Sequence, residues 1–329
     1  MVGKTSPFAC ETASVAEPDE SPDSAEPPAE TAAGAEEPPT GASVETGAEV
    51  GIEDAAGPGE RGRLPGDAIA AAREVRVPTR GNRRLEALLA AVNADPQVRA
   101  WWHMAQVNSE RLGMSDHSWV HVQIVLNIAL RVLRLLVRAG VEPAMVADHG
   151  MRARDAEVVV AAGALLHDIG MSIHRTDHEA FSLFLAERKL AELLADVYQE
   201  PERTVVVSEA LHAIIGHRRR GEPFTVEAGV VRAADALDMA QGRSRLPVEA
   251  GQVGIHSISA AAIDGIDISA GEDRPVRVEV RMNNSAGIFQ VDDLLATKLR
   301  GTPLSDQIEV VATIEGEAEK RLLGEFRLP

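Results

Sequence analysis

Residues 155–170 read DAEVVVAAGALLHDIG, and this stretch decides the fold. Between Asp155 and Leu166 apolar residues dominate every face, so the segment predicts a helix over 155–168, buried on all sides in a helical core. Gly170 ends it. The same run carries His167 and Asp168 side by side at its inner end. Adjacent His and Asp side chains near a helix end can both serve one metal site if the helix lies against it.

Helical texture extends on both sides of this core. Arg83–Val92 reads as a helix, and Asp95-Pro96 opens another with an N-cap followed by proline. Ser115 or Asp116 is expected to cap a long apolar helix that Gly140 ends. Val120–Val137 is interrupted by Gln123, Asn127, Arg131 and Arg134, which suits a buried helix better than a membrane span. Downstream, Asp177 caps a helix to about Tyr198, Pro201 opens one to about Arg218, and Thr225 opens one that Gly242 stops. After Arg245 the texture changes. Ala262–Ser269, Pro275–Met282 and Gln307–Glu315 read as strands and Val291–Arg300 as a helix.

The expected architecture is therefore mainly α: a helical bundle over residues 80–245, a small α+β domain over 246–329, and an acidic Ala/Pro/Glu-rich tail over 1–64. The tail's Phe8 is the only aromatic residue among the first 60. Such a segment buries too little apolar surface to offset its ordering entropy, so the composition predicts disorder. Of the 51 acidic and 33 basic residues, 14 and one fall in residues 1–60, a balance of −13 out of −18. The remainder has no basic excess that would argue for nucleic acid. Cys10 is the only cysteine, so no internal disulfide forms, and Met1–Ser21 lacks the apolar core of a signal peptide. A cytoplasmic protein is expected.

Eight of the ten histidines lie between residues 117 and 217. That clustering invites a metal or acid/base reading. His117 and His121 are four apart, on one face of an otherwise apolar helix, where a histidine in the core needs a partner. In VVRAADALDMAQGRSR, Asp235 sits mid-helix between alanines, with Asp238 three residues on along the same face.

Taken together, HVQIV from His121, the HDIG of 167–170 and AADALD with Asp235 resemble the HD superfamily of metal-dependent phosphohydrolases, over roughly Ser115–Arg245. The resemblance implies metal ligation by His121, His167, Asp168 and Asp235. It also implies, for members with two metals, His178 and His217 as further ligands, with Asp168 bridging. His174 and His212 are rival positions that could instead contact substrate. A mixed nitrogen and oxygen set suits two divalent ions such as Mn, Fe, Co or Zn better than Ca, while Mg would accept fewer histidines. Many relatives continue HDIG with lysine, whereas this chain has Met171. The phosphate contact would then fall to Arg218, Arg219 or Arg220, or to Arg243 and Arg245.

The function implied is cleavage of a phosphoester, a nucleotide foremost, by a metal-activated hydroxide. Asp168, His212 and Arg243 are expected in catalytic roles, and Arg218 and Arg245 in substrate binding. Two alternatives share the ligand set: a nucleotide-binding regulatory module without turnover, and a di-iron oxygenase. The expected partner is a small-molecule phosphoester, with no nucleic acid and no membrane. A homodimer is compatible. The stretches IHSIS and MNNSAGIFQVDDLL add a likeness to uncharacterised bacterial and archaeal HD proteins with a C-terminal α+β domain.

Overall fold

The structure, a computed structural model, describes residues 74–219, 221–239 and 255–314, which belong to one compact unit. The expected tail, the boundary at 245/246, Arg220, Gly242, Arg243 and Arg245 all lie outside the described residues.

Eight helices come first: α1 (Arg83–Ala94), α2 (Pro96–Arg111), α3 (Trp119–Arg138), α4 (Ala144–Ala147), α5 (Ala153–Leu166), α6 (His178–Leu193), α7 (Glu202–Gly216) and α8 (Val226–Leu237). Helix α5 is the buried centre. It packs against α1, α3, α7 and α8, and from Val158 to Leu166 every residue is buried. Gly163 permits the tightest crossing. A Cβ there would stand 2.9 Å from the Ala213 Cβ of α7 and 3.1 Å from Val231 Cγ2 of α8.

Local signals explain most of the boundaries. Asp95 caps α2 by accepting from the Gln97 and Val98 N–H groups, with Pro96 at the first helical position. The cap of α3 is Ser118, whose hydroxyl accepts from Val120 N–H at 3.1 Å. Asp116 acts one step earlier, accepting from Ser118 N–H at 2.8 Å, so the helix starts later than Ser115 or Asp116 would have placed it. Gly140 ends α3 at φ +91°, a left-handed conformation that costs glycine little. By length and composition α3 could cross a membrane, but 61% of its most apolar window is buried inside the protein. Asp177 precedes α6 in a left-handed conformation and makes no side-chain cap. That helix ends at Leu193, and α8 ends where Asp238 leaves helical geometry.

A short helix that the sequence pattern did not announce, α9 (Ile255–Ala261), leads into the sheet. Strands β1 (Ile263–Ala270), β2 (Val276–Met282) and β3 (Ile308–Ile314) lie in the order β1-β2-β3. β1 runs antiparallel to β2, pairing Ile268 with Val278, and β3 runs parallel to β2, pairing Val310 with Val278. A parallel neighbour requires a crossover. It is supplied by helical turns at Gln290–Ala296 and Thr297–Leu299, which return the chain to α8. Sheet and helices share one core: Val276, Val278 and Ile308 belong to the same buried cluster as α5. Leu304 lies against Gly229 of α8, where a Cβ would stand 3.1 Å from Leu304 Cγ.

Candidate metal centre

Helix ends converge on the cluster. His121 is in the first turn of α3, and His167 and Asp168 follow the last turn of α5. His178 opens α6, His217 follows α7, and Asp235 lies in the last turn of α8. All six are buried. The reversal after Asp168 is held at Gly170, where a Cβ would stand 2.0 Å from the His178 carbonyl oxygen. Ser182 of α6 ties the turn down, donating to the His167 carbonyl at 2.6 Å and accepting from Gly170 N–H at 2.9 Å. Asn108 of α2 donates to the carbonyls of Met171 and Ser172.

The carboxylate of Asp168 divides the cluster in two. Its Oδ2 faces His121 Nε2 at 3.4 Å and His167 Nε2 at 3.3 Å. Its Oδ1 faces His178 Nε2 at 3.1 Å and His217 Nε2 at 3.5 Å. Asp235 Oδ1 joins the first group, 3.6 Å from His121 Nε2. Two donor sets result, His121–His167–Asp235 and Asp168–His178–His217. Within each, the ligand atoms lie no more than 4.8 Å apart. A compact, buried set of imidazole nitrogens and carboxylate oxygens fits a divalent ion.

Outer partners fix the imidazoles. Nδ1 of His121 lies 2.6 Å from Asp238 Oδ2, and Nδ1 of His167 lies 2.9 Å from the Ala164 carbonyl. Nδ1 of His217 lies 2.5 Å from the Ile214 carbonyl. In each case Nδ1–H donates outward, which leaves an Nε2 lone pair facing the cluster. His178 differs. Its Nδ1 meets both the Arg175 carbonyl at 3.0 Å and Arg175 Nη1 at 2.8 Å, partners that ask for opposite tautomers.

Electrostatics follow from this packing. Burial alone would raise the Asp168 pKa, but His167, His121 and His178 together hold it well below the usual carboxylate range. Burial pushes His217 down, outweighing its hydrogen bond to Asp168. For His178 burial also acts downward, but the Asp168 hydrogen bond and charge leave its pKa raised.

The other sequence candidates fall in different places. His212 stands apart: its ring stacks on Phe224 at 3.8 Å, and Nε2 accepts the Phe224 N–H at 3.3 Å. His174 is exposed and accepts from Thr176 N–H at 3.0 Å. Arg218 and Arg219 line an open hollow of about 400 Å³ that His178 and Arg175 also line. Arg218 reaches Asp177 at 3.4 Å.

Three residues gained their place only in the structure. His117 is buried, with Nε2 3.9 Å from Asp168 Oδ2. Lys298, from the crossover, pairs through Nζ with Asp235 Oδ2. Arg232 of α8 donates to the carbonyls of Lys298, Gly216, Arg218 and Arg219, pinning the lysine segment to the end of α7. The spacing of His117 from His121 was a signal for the first. Nothing local signals Lys298, which lies 63 residues beyond its partner.

The family model for the HD domain matches residues 125–240, beginning four residues after His121. The uncharacterized protein MJ1020 of Methanocaldococcus jannaschii is 39% identical over 207 residues, which cover 63% of this chain and 80% of that protein. Ribonuclease Y of Acidothermus cellulolyticus is 30% identical over 51% of this chain and 32% of its own length. Ribonuclease Y of Desulforamulus reducens is 32% identical over 44% of this chain and 26% of its own length. The chain thus spans a third or less of those two ribonucleases. No solved structure matches this chain closely enough to count as a relative.

Proposed function

The chain belongs to the HD family, whose domains are metal-dependent phosphohydrolases, and on that premise we propose that it holds two divalent ions and hydrolyses a small-molecule phosphoester, a nucleotide foremost. One observation carries this reading: the two oxygens of Asp168 face two separate histidine pairs. His121, His167 and Asp235 would hold one ion, His178 and His217 the other, and Asp168 both. When bound, the ions supply acidification of water and neutralisation of phosphoryl charge near pH 7.

The chain's own residues do the rest. Asp238 orients His121, and the carbonyls of Ala164 and Ile214 orient His167 and His217. Lys298 is a cation beside the cluster, paired with Asp235, in a chain where Met171 follows HDIG. We assign it to the phosphoryl oxygens once Asp235 is engaged by metal. Arg218 and Arg219, at the hollow beside His178, supply guanidinium groups for more distant phosphates. The mild acidity of residues 61–329 supports a small anion over a nucleic-acid backbone.

The test is phosphate release from a panel of nucleoside mono-, di-, tri- and cyclic phosphates under Mn, Co, Fe and Mg. An oligoribonucleotide belongs in the panel because two relatives are named ribonucleases. Asp168→Ala is expected to abolish both metal content and turnover. Metal-dependent hydrolysis retained by that variant would sink the reading.

A further inference from the structure

Helix α3 carries His121 at its start and a stripe of arginines further along. Arg131, Arg134 and Arg138 follow at spacings of three and four, so they share one face. Arg131 lies ten residues beyond His121, about 15 Å along the axis. That face looks onto β1, the edge strand of the sheet, and between them lies a cleft of about 680 Å³. This is within the range of roughly 300–1,000 Å³ typical of small-molecule sites.

The lining has two parts. One is apolar and includes Ile128 of α3 and Ile268 of β1. The other is cationic: Arg80, Arg131, Arg134 and Arg138 line the cleft, and no Asp or Glu among the described residues does. Arg134 is built into the wall, donating through Nε to Glu157 and through Nη1 to the Pro78 carbonyl, both at 2.7 Å. Its Nη2 is buried and has no hydrogen-bond partner among the described residues. The other three arginines form no ion pair with a carboxylate among the described residues. Guanidinium groups with no carboxylate partner among the described residues, around an apolar floor, match a multiply charged anion with a flat apolar body.

We propose that this cleft is a second, non-catalytic site that binds a nucleoside triphosphate. Arg80, Arg131 and Arg138 would take the phosphates, and the apolar floor would take the base. This is separate from the metal centre and does not depend on the reaction proposed there.

The experiment is calorimetric titration of the full-length chain, stripped of metal with EDTA, with ATP and separately with inorganic pyrophosphate. ATP is expected to bind without metal, and to bind an Asp168→Ala variant equally well. The double change Arg131→Glu with Arg138→Glu, both at exposed positions, is expected to weaken binding at least tenfold while leaving metal content unchanged. ATP binding that depends on metal and ignores the arginine changes would place the nucleotide at the metal centre and overturn the proposal. So would no binding at millimolar ATP, or a double variant whose only change is in oligomeric state, which would make a second copy the occupant. Pyrophosphate binding as tightly as ATP would overturn the assignment of the apolar floor to a base.

Discussion

Asp238 Oδ2 stands 2.6 Å from Nδ1 of His121, and this contact decides which ring nitrogen faces Asp168 and Asp235. A carboxylate behind a ligating imidazole fixes its tautomer and raises its basicity. Asp238→Ala is therefore expected to weaken metal binding about 10–100-fold with the helical signature intact. Asp238→Asn, whose amide oxygen can still accept the Nδ1–H, should recover part of the loss. Titration of the stripped protein with Mn²⁺ measures both, and equal affinities in all three proteins would remove Asp238 from the site.

Lys298 and Asp235 make the opposite prediction. Their ion pair competes with metal for the same carboxylate. Lys298→Ala should leave metal affinity unchanged or tighter, while turnover falls about 10²-fold through loss of a cation near the reacting phosphoryl group. A Lys298→Ala protein that loses its metal but turns over normally per bound ion would assign the lysine a purely structural role.

The division between what could be read in advance and what could not follows the range of the interactions. The buried helix ending in His167-Asp168 was legible because an apolar run with a glycine stop has few other solutions. His121 and Asp235 were legible as titratable groups on apolar helices, whereas His178 and His217 were singled out from their rivals His174 and His212 only by the resemblance to the HD superfamily. His212 lies within α7, five residues before His217 at its C-terminal cap and roughly 140° around the helix, so it faces elsewhere. Lys298 and Arg232 were not legible, because their partners depend on how the crossover returns to α8. Helix α9 was missed because its seven residues are too few for a clear period.

Gly170 is the backbone position on which the second donor group depends. An alanine Cβ would sit 2.0 Å from the His178 carbonyl oxygen and 2.5 Å from Ser182 N, and neither is the end of a flexible side chain. Gly170→Ala should cost about 3 kcal/mol or more, at the upper end for overpacking. Because the strain falls on His178, loss of one bound ion should accompany it. Thermal melts and metal analysis check both, and a variant as stable as the parent would show that the turn can relax.

Asp95 provides a pH test away from the metal. Burial would raise its pKa, but the Val98 N–H and Lys189 hold it below the usual value. With the folded value depressed, its stabilisation is in place above the unfolded pKa of about 4 and is lost as pH falls through the folded value. Asp95→Ala removes the cap of α2 and should cost about 1 kcal/mol at pH 7. Asp95→Asn should keep most of the cap and lose the Lys189 pair, which lies at 2.9 Å. Denaturant melts at pH 7 and near pH 2 should show the gap between parent and Asp95→Asn closing in acid, and a gap that widens there would contradict the assignment.

The most direct test of the central claim is phosphate release followed while the stripped protein is titrated with Mn²⁺ and bound ions are counted. The account predicts two ions per chain, turnover that rises with occupancy, and no turnover in EDTA. Hydrolysis that persists at full rate in the metal-free protein, or one that never binds metal at the cluster, would contradict it.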